Sequence, residues 1–446
     1  MRYAAAPLLL LALATACGPG HVLRRGQVNA DALARIRTGL AAARGLAFRR
    51  PVPARVLDQA GLASVLAREI ELSYGPGDLE RLSAIYARLR LLPPGGDLRA
   101  ALLRLYAGQV AALYDPRTKT LALVASALVP DGGVGLRLYE FLTGRDLVGE
   151  LLVAHELTHA LEDQHWGIPT ESEPLADSHG DRLLARRALL EGDATLASFA
   201  YVTKSPLDAG TIARIADELK GVHAELAARY PDVPEVVRAA LAFEYDQGTS
   251  FAGWALAAGG WPAVDRAEAD PPESTEQVLH PARYFGLRDH PVAIALGGTE
   301  RLEAQGWTRV YEDTLGELDV RTLALTRLSG ADAARVADGW GGDRLRALAR
   351  GDDLVIVWMT AWDSPADAAE FADAMPRVLP DARIERRTDR VLVLVGPAGG
   401  LDLAALARRV WRATQSSPRT SAACGATRSP DDRLPTPPGP PIRGPA

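Results

Sequence analysis

The sequence has very few cysteines and no excess of positive charge. It contains two cysteines, Cys17 and Cys424, in 446 residues, and its formal net charge is −6. Without a basic excess, nothing in the composition indicates a protein that binds nucleic acid. If Cys17 is modified, as argued below, no intrachain disulfide can form and stability must come from the core. The length and the 48% hydrophobic composition predict a soluble globular protein of two domains.

The N-terminus has the pattern of a secretory signal. Arg2 precedes an apolar run from Pro7 to Ala14, which is too short to span a bilayer. The following Leu13-Ala-Thr-Ala-Cys17 resembles a bacterial lipobox, with Ala14 where leucine is commoner. The resemblance implies cleavage before Cys17, acylation of that residue, and a mature protein tethered to a membrane of the bacterial cell envelope. The alternative is an ordinary secreted protein in which Cys17 has no role.

The stretch from Val148 to Gly167 contains the pattern that predicts a chemical function. Residues from Leu147 to Leu161 recur at helical spacing, and Gly167 followed by Pro169 supplies a stop, which predicts a helix with one buried face. Within it, His155 and His159 are one turn apart, about 6 Å along the axis, so both imidazoles can reach one metal ion. Glu156 projects beside them, where a carboxylate can accept a proton from a water that the metal activates. The pattern predicts a Zn²⁺ site.

Two residues compete for the position of third ligand. His165 would serve only if the helix broke near Glu162; in an unbroken helix His165 lies about 9 Å beyond His159, outside a shared coordination sphere. Glu191 lies on a largely apolar stripe of a second predicted helix, 174–201, where an unpaired carboxylate is costly and a metal would pair it. The sequence therefore favours Glu191.

Three other polar residues of the second predicted helix are not expected to bind the metal. Asp193 shares a stripe with Arg182 and Arg186, which favours a solvated face; the alternative is a carboxylate that supports the metal ligands from behind. His179 and Asp181 are expected at the surface.

These motifs resemble a known class of enzymes. The residues 155–164, HELTHALEDQ, followed by Ala188-Leu-Leu-Glu191-Gly-Asp-Ala194, are similar to the gluzincins, the thermolysin-type zinc metallopeptidases. The closer resemblance is to a family of largely uncharacterised prokaryotic lipoproteins and surface proteins, and further similar stretches are 109–121, 245–251, 274–281 and 339–343. The resemblance implies His155, His159 and Glu191 as zinc ligands. It also implies Glu156 as general base.

The resemblance is incomplete, because the gap between His159 and Glu191 is longer than in thermolysin and the following acid is offset. Asp193 therefore does not simply inherit the role of its thermolysin counterpart. In zincins an edge strand lies above the active-site helix and pairs with extended substrate. Thr120 to Val124 is the candidate for this strand, and an ordinary core hairpin is the alternative. His280, which follows a short helix capped by Ser274 or Thr275, or else Tyr284, is the candidate donor to the oxyanion.

The expected fold class is α+β and mostly helical, with a zincin-like catalytic domain and a small C-terminal α+β unit. The expected segments are a signal peptide (1–16), a lipidated linker (17–27), the catalytic domain (28–300), the small unit (301–415) and a disordered tail (416–446). In the small unit, Trp340 and its neighbouring glycines are expected to form a loop.

The predicted function is that of a membrane-anchored zinc metallopeptidase acting on envelope proteins or peptides. The alternative is a non-catalytic surface lipoprotein that keeps zinc as a structural staple, although an intact Glu156 argues against it. The oligomeric state does not follow from the sequence.

Overall fold

The computed structural model describes residues 21–124, 146–169, 178–396 and 400–417. The fold is α+β and mostly helical, as predicted. The predicted signal peptide, Cys17 and most of the tail lie outside the described residues. Among the residues that are described, no helix is long and apolar enough to cross a membrane.

The helices, numbered in chain order over the described residues, are α1 Ala30–Arg44, α2 Gln59–Ser73, α3 Asp78–Arg88, α4 Leu98–Gln109, α5 Leu147–His165, α6 Gly180–Thr203, α7 Ala209–Leu219, α8 Val222–Arg229, α9 Glu235–Gly259, α10 Trp261–Ala269, α11 Thr275–Leu279, α12 Ala282–Phe285, α13 Glu300–Glu303, α14 Gly316–Leu325, α15 Gly330–Ala337, α16 Pro365–Val378 and α17 Leu403–Ala413. The strands are β1 Leu23–Arg24, β2 Gln27–Val28, β3 Ala54–Leu57, β4 Ala112–Asp115, β5 Thr120–Val124, β6 Ile294–Ala295, β7 Thr308–Asp313, β8 Trp340–Arg350, β9 Asp353–Trp362, β10 Arg383–Arg387, β11 Arg390–Val395 and β12 Gln415–Ser416.

Local capping chemistry sets the boundaries of the N-terminal helices. The side chains of Asn29, Asp58 and Asp97 each accept a hydrogen bond from the backbone of the first turn of α1, α2 and α4, respectively. Such bonds satisfy N–H groups that have no partner within the helix. Helix α1 ends at Gly45, whose φ of 77° is a conformation that glycine adopts without strain.

A three-stranded sheet lies against helix α5. Its strand order is β3-β5-β4, with β5 parallel to β3 and antiparallel to β4. The strand Thr120–Val124 is therefore central and paired on both sides, so our prediction that it is the edge strand was wrong. Among the described residues, the edge strand beside α5 is β4, which ends at Asp115. The strand of a hairpin that forms the edge of the sheet depends on where a further strand pairs. Here that further strand is β3, which lies far away in the sequence.

Helix α6, which carries Glu191, and helix α9, which carries Tyr245, cross at a pair of glycines. A Cβ atom added to Gly192 would lie 2.1 Å from the carbonyl oxygen of Gly248. A Cβ atom added to Gly248 would lie 2.0 Å from the carbonyl oxygen of Ala188. Both positions thus require glycine, and the close approach brings Glu191 of α6 next to the middle of α9.

The C-terminal unit is built on a five-stranded antiparallel sheet, in the order β10-β11-β9-β8-β7. Trp340 begins the interior strand β8, which pairs with β9 and β7 and has a register shift before Gly342, so our prediction of a loop there was wrong. The fully buried indoles of Trp340 and Trp358 both donate hydrogen bonds to Asp343, at 2.9 Å each. A buried carboxylate needs hydrogen-bond donors. Because the two indoles supply them to Asp343, Trp340 and its neighbours form a strand and not a loop.

The sheet and the N-terminal helices share one hydrophobic core. Buried side chains of α2, α3 and α4, such as Ile70, Leu79 and Leu105, belong to the same apolar cluster as Trp340 and Trp358. The C-terminal unit is therefore packed directly on the helical part.

The start of α6 corrects another prediction. Asp181, which we expected at the surface, is 3% exposed. Its Oδ1 accepts hydrogen bonds from the backbone N–H and the hydroxyl of Thr275, at 3.1 and 2.6 Å. The contact joins α6 to the short helix α11, which begins with Ser274 as N-cap, as predicted.

Candidate metal centre

Helix α5 presents two histidines to one point. It runs unbroken from Leu147 to His165, as predicted. The ring centroids of His155 and His159 are 4.9 Å apart, with the ring planes at 89° to each other. His165, at the far end of the helix, instead lies with its Nε2 2.9 Å from the carbonyl oxygen of Ala47. The structure therefore gives His165 no part in the pair.

Glu191 of α6 completes a group of three. Its Oε2 lies 3.0 Å from His155 Nε2, and its Oε1 lies 3.5 Å from His159 Nε2. One ligand atom from each of the three residues lies within 4.8 Å of the others. Zn–N and Zn–O bonds of about 2 Å in a tetrahedron place neighbouring ligand atoms about 3.3 Å apart. The spacing of these three side chains fits a zinc ion at their centre.

The electrostatics of Glu191 also fit a site for a cation. Burial by itself would raise the pKa of this carboxyl group, but the charge of His159 and hydrogen bonds from both histidines hold the pKa well below its usual range. Glu191 is thus an anion that is stable only because positive charge faces it. A divalent ion supplies such charge without protonating the two imidazoles.

Glu156 lies at the same place but is held by different atoms. Its Oε2 accepts a hydrogen bond of 2.6 Å from the backbone N–H of Tyr114 in edge strand β4. Burial raises the pKa of Glu156, and the charges of His159 and His155 oppose that rise. The hairpin that supplies this N–H is fastened to α5 by Asp163, which accepts hydrogen bonds from the Tyr114 hydroxyl and from Lys119 at 2.7 and 2.8 Å.

His159 has a supporting partner on the side away from the group. Its Nδ1 donates to Glu162 Oε2 at 2.7 Å, and Glu162 is 1% exposed. With Nδ1 occupied in this way, Nε2 is the nitrogen left to face a metal. Carboxylates of this kind fix the ring orientation of a ligating histidine and raise its basicity.

Asp193 is buried, with none of its side chain exposed, so our prediction of a solvated face was wrong. Its two oxygens accept hydrogen bonds from Arg44 of α1 at 2.7 and 2.8 Å. Arg44 is equally buried; it also pairs with Asp265 at 2.7 Å and stacks on Trp261, 4.6 Å from the ring centroid. A carboxylate oxygen of Asp193 lies within 4.8 Å of one of Glu162. Asp193 therefore lies behind Glu162, which is the residue that supports His159.

Tyr245 is a residue that our sequence argument missed. Its ring lies over His155, with centroids 6.2 Å apart and planes at 27°. The charge of Glu191, together with burial, raises the pKa of Tyr245 well above its usual value, so the hydroxyl lies within the electrostatic influence of that carboxylate. The stretch 245–251 was recognised as similar to the lipoprotein family, and that is the one signal that could have singled out this tyrosine.

The two predicted oxyanion donors have other partners. His280 Nε2 lies 3.0 and 3.1 Å from the oxygens of Glu317, and the Tyr284 hydroxyl donates to the carbonyl oxygen of Asp270 at 2.6 Å. Within the described part of the chain, neither residue contacts the two histidines, Glu156 or Glu191. The sequence separation that suggested His280 carried no information about which way its helix faces.

Comparison with known proteins gives one match. A family model described as a domain of unknown function, DUF8575, matches residues 300–417. No curated protein and no solved structure matches the chain. The matched residues form the C-terminal sheet unit and do not include the metal group.

Proposed function

We propose that the protein is a zinc metallopeptidase of the gluzincin type. The observation that carries the proposal is the meeting of His155, His159 and Glu191 at one point, with Glu156 beside them. The donor set of two imidazoles and one carboxylate is that of a catalytic zinc site that keeps an open position. Zinc held there supplies a Lewis acid, which polarises a carbonyl group and makes water acidic.

The chain's own residues supply the proton transfers. Glu156 is the general base: it takes the proton from the water that attacks the scissile carbonyl and passes it to the leaving amine. The N–H of Tyr114 holds one carboxylate oxygen of Glu156, so the other oxygen is free to face the water. A partly buried position beside charged groups suits a carboxylate for this role.

Tyr245 is the proposed donor to the oxyanion, in place of His280 and Tyr284. Its ring lies over His155, with centroids 6.2 Å apart, and the charge of Glu191 acts on its hydroxyl. A hydroxyl that donates more strongly to an oxyanion than to a neutral carbonyl stabilises the transition state selectively. The edge strand β4 is the proposed platform for extended substrate, because one of its sides lacks a neighbouring strand within the described residues.

The test separates an enzyme from a zinc-stapled binding protein. The variant Glu156→Gln keeps the shape of the side chain but cannot accept a proton. We expect it to fold and to bind one zinc ion per chain, while cleavage of a quenched-peptide library falls by several orders of magnitude. An active Glu156→Gln variant, or a zinc-loaded wild-type protein that cleaves no peptide, would contradict the proposal.

We further propose that the protein is anchored in the bacterial cell envelope by lipid on Cys17 and that its substrates are envelope proteins or peptides. The support is the N-terminal sequence pattern alone. The variant Cys17→Ala should move the protein from the membrane fraction to the soluble fraction. Unchanged detergent partitioning and unchanged mass of the N-terminal peptide would overturn the anchor without affecting the peptidase proposal.

A further inference from the structure

A cavity of about 250 Å³ opens beside the metal group, between helices α2–α4 on one side and α6, α9 and α14 on the other. Its end nearest the metal is formed by Arg187 and Glu244. Arg187 lies one helical turn before Glu191 on α6, and Glu244 directly precedes Tyr245 on α9. The Arg187 side chain is 59% exposed although it lies among helices, so solvent reaches the cavity at this end.

Tyrosine rings form part of the cavity wall: Tyr74, Tyr86, Tyr106 and Tyr311 line it. Burial, together with the charges of Glu244 and Glu191, raises the pKa of Tyr106. Burial and the charge of Asp319 raise the pKa of Tyr86. The wall of the cavity thus combines aromatic rings with carboxyl groups.

The charges that face this space are unbalanced. Among the described lining residues, Arg187 is the one cation, and it lies 3.9 Å from Glu244. Three further carboxyl groups also line the cavity: Asp181, Asp313 and Asp319. After the Arg187–Glu244 pair is subtracted, those three carboxyl groups have no cation opposite them.

Of the three described carboxyl groups, Asp319 is the one that accepts no hydrogen bond, while Asp181 has one oxygen, Oδ2, without a partner. Asp313 accepts hydrogen bonds from the backbone of Gly180 and Thr314 and from the hydroxyl of Tyr311, and Asp181 is bonded to Thr275. Within the described residues, Asp319 has no hydrogen bond and no ion pair. Burial, together with the charges of Asp313 and Asp343, raises its pKa to about 7. A carboxyl group so placed gains most from a cation brought by a ligand.

We propose that this cavity is the pocket for one substrate side chain and that it selects lysine or arginine. The inference rests on the proposed peptidase function. The apolar stem of either side chain packs against the leucine and tyrosine walls, its cationic end meets tyrosine ring faces, and Asp319 pairs with it. An acidic side chain would face unpaired carboxyl groups, and an aliphatic side chain would leave Asp319 desolvated without a partner.

The test is a positional scan of quenched peptides with the zinc-loaded full-length protein. At one position beside the cleaved bond, lysine or arginine should be preferred over norleucine, which has the four-carbon stem of lysine without the ammonium group. Asp319→Asn should lower kcat/KM for the basic peptides by about 10- to 100-fold, the usual worth of a buried charge-assisted hydrogen bond, and leave the norleucine peptide nearly unchanged. The matched control is Asp332→Asn, an exposed acid on the neighbouring helix α15, which should change neither.

Several results would overturn the proposal. They are a wild-type preference for acidic or aliphatic side chains, an equal loss on all peptides in a folded Asp319→Asn variant, and a requirement for a free N-terminal amine regardless of side chain. If Asp319→Asn fails to fold, the wild-type preference decides alone.

A second measurement separates this proposal from the peptidase proposal. Binding of Nα-acetylargininamide and Nα-acetylnorleucinamide to the zinc-loaded protein is followed by NMR line broadening, which needs no turnover. If no peptide is cleaved but the arginine compound binds wild type and not Asp319→Asn, the pocket stands and the peptidase function fails. If peptides are cleaved but neither compound is distinguished, in binding or in cleavage, the pocket proposal fails and the peptidase function stands.

Discussion

Glu162→Gln tests whether the metal group depends on support from behind. Glu162 accepts a 2.7 Å hydrogen bond from His159 Nδ1 at a position that is 1% exposed. A buried hydrogen bond to a charged group contributes about 1.5 to 3 kcal/mol, and a neutral one roughly half as much. Glutamine keeps the shape and an acceptor oxygen but loses the charge. The expected cost to zinc binding is therefore about 0.8 to 1.5 kcal/mol, or about 4- to 13-fold in Kd.

The same substitution should affect the metal-free protein in the opposite direction. Glu162 lies within 4.8 Å of the buried carboxyl groups of Asp193 and Glu268. Burial raises the pKa of Glu162 to about 7 and the pKa of Glu268 well above its usual value, and the charge of Asp193 adds to both rises. Removing one charge relieves this repulsion, so the melting temperature of the chelator-treated protein should stay the same or rise. A lower affinity for zinc, in a protein whose metal-free form melts at the same or a higher temperature, would show that His159 has lost the support of Glu162.

The assay is a competition titration against a chromophoric zinc chelator, with thermal melts of the metal-free protein in parallel. His165→Ala is the control on the same helix, and its Kd for zinc should equal that of wild type. The reasoning is refuted if Glu162→Gln binds zinc as tightly as wild type, or if its affinity falls only in proportion to a lower melting temperature.

Three further outcomes follow from the site. Glu191→Ala should lose most of its bound zinc by elemental analysis whereas His165→Ala keeps one zinc per chain, and the reverse result would make His165 the third ligand. Tyr245→Phe should lower kcat/KM about 100-fold at unchanged zinc content, as loss of one oxyanion donor does; a normal rate would remove Tyr245 from the mechanism. His280→Ala should lower the melting temperature, because Glu317, which is 4% exposed, loses its imidazole partner at a cost of about 1 to 3 kcal/mol. A slower reaction at unchanged melting temperature would instead return His280 to the oxyanion role.

Two kinds of feature could be predicted from the sequence: those determined by the local spacing of apolar residues, and those determined by the cost of burying an unpaired charge. The unbroken helix around His155 follows from the spacing of its apolar residues, and it removes His165 without any knowledge of the fold. Glu191 was singled out because an unpaired carboxylate on an apolar stripe is costly, and the structure places it beside both histidines.

The remaining features depend on partners far away in the chain. The same argument about stripes failed for Asp193, because its cation is Arg44, 149 residues earlier, and not the arginines of its own helix. The identity of the edge strand depended on which side of the hairpin β3 occupies. Tyr245 reaches Glu191 only because two glycines let α6 and α9 approach closely, a relation that no single segment encodes.

The burial of Arg44 has a consequence for how the metal group depends on helix α1. This arginine ends the first helix, and its bonds to Asp193 and Asp265 bridge the helix of Glu191 to helix α10. Without α1, the fully buried carboxylate of Asp193 and the partly exposed carboxylate of Asp265 would lose their counter-ion, and the loss at Asp193 is strongly destabilising. Helix α1 therefore supports the group of His155, His159 and Glu191 from a distant part of the chain. Under the proposed zinc-binding function, we expect a shortened chain that begins after Gly45 to be recovered without metal, although all three proposed ligands are present.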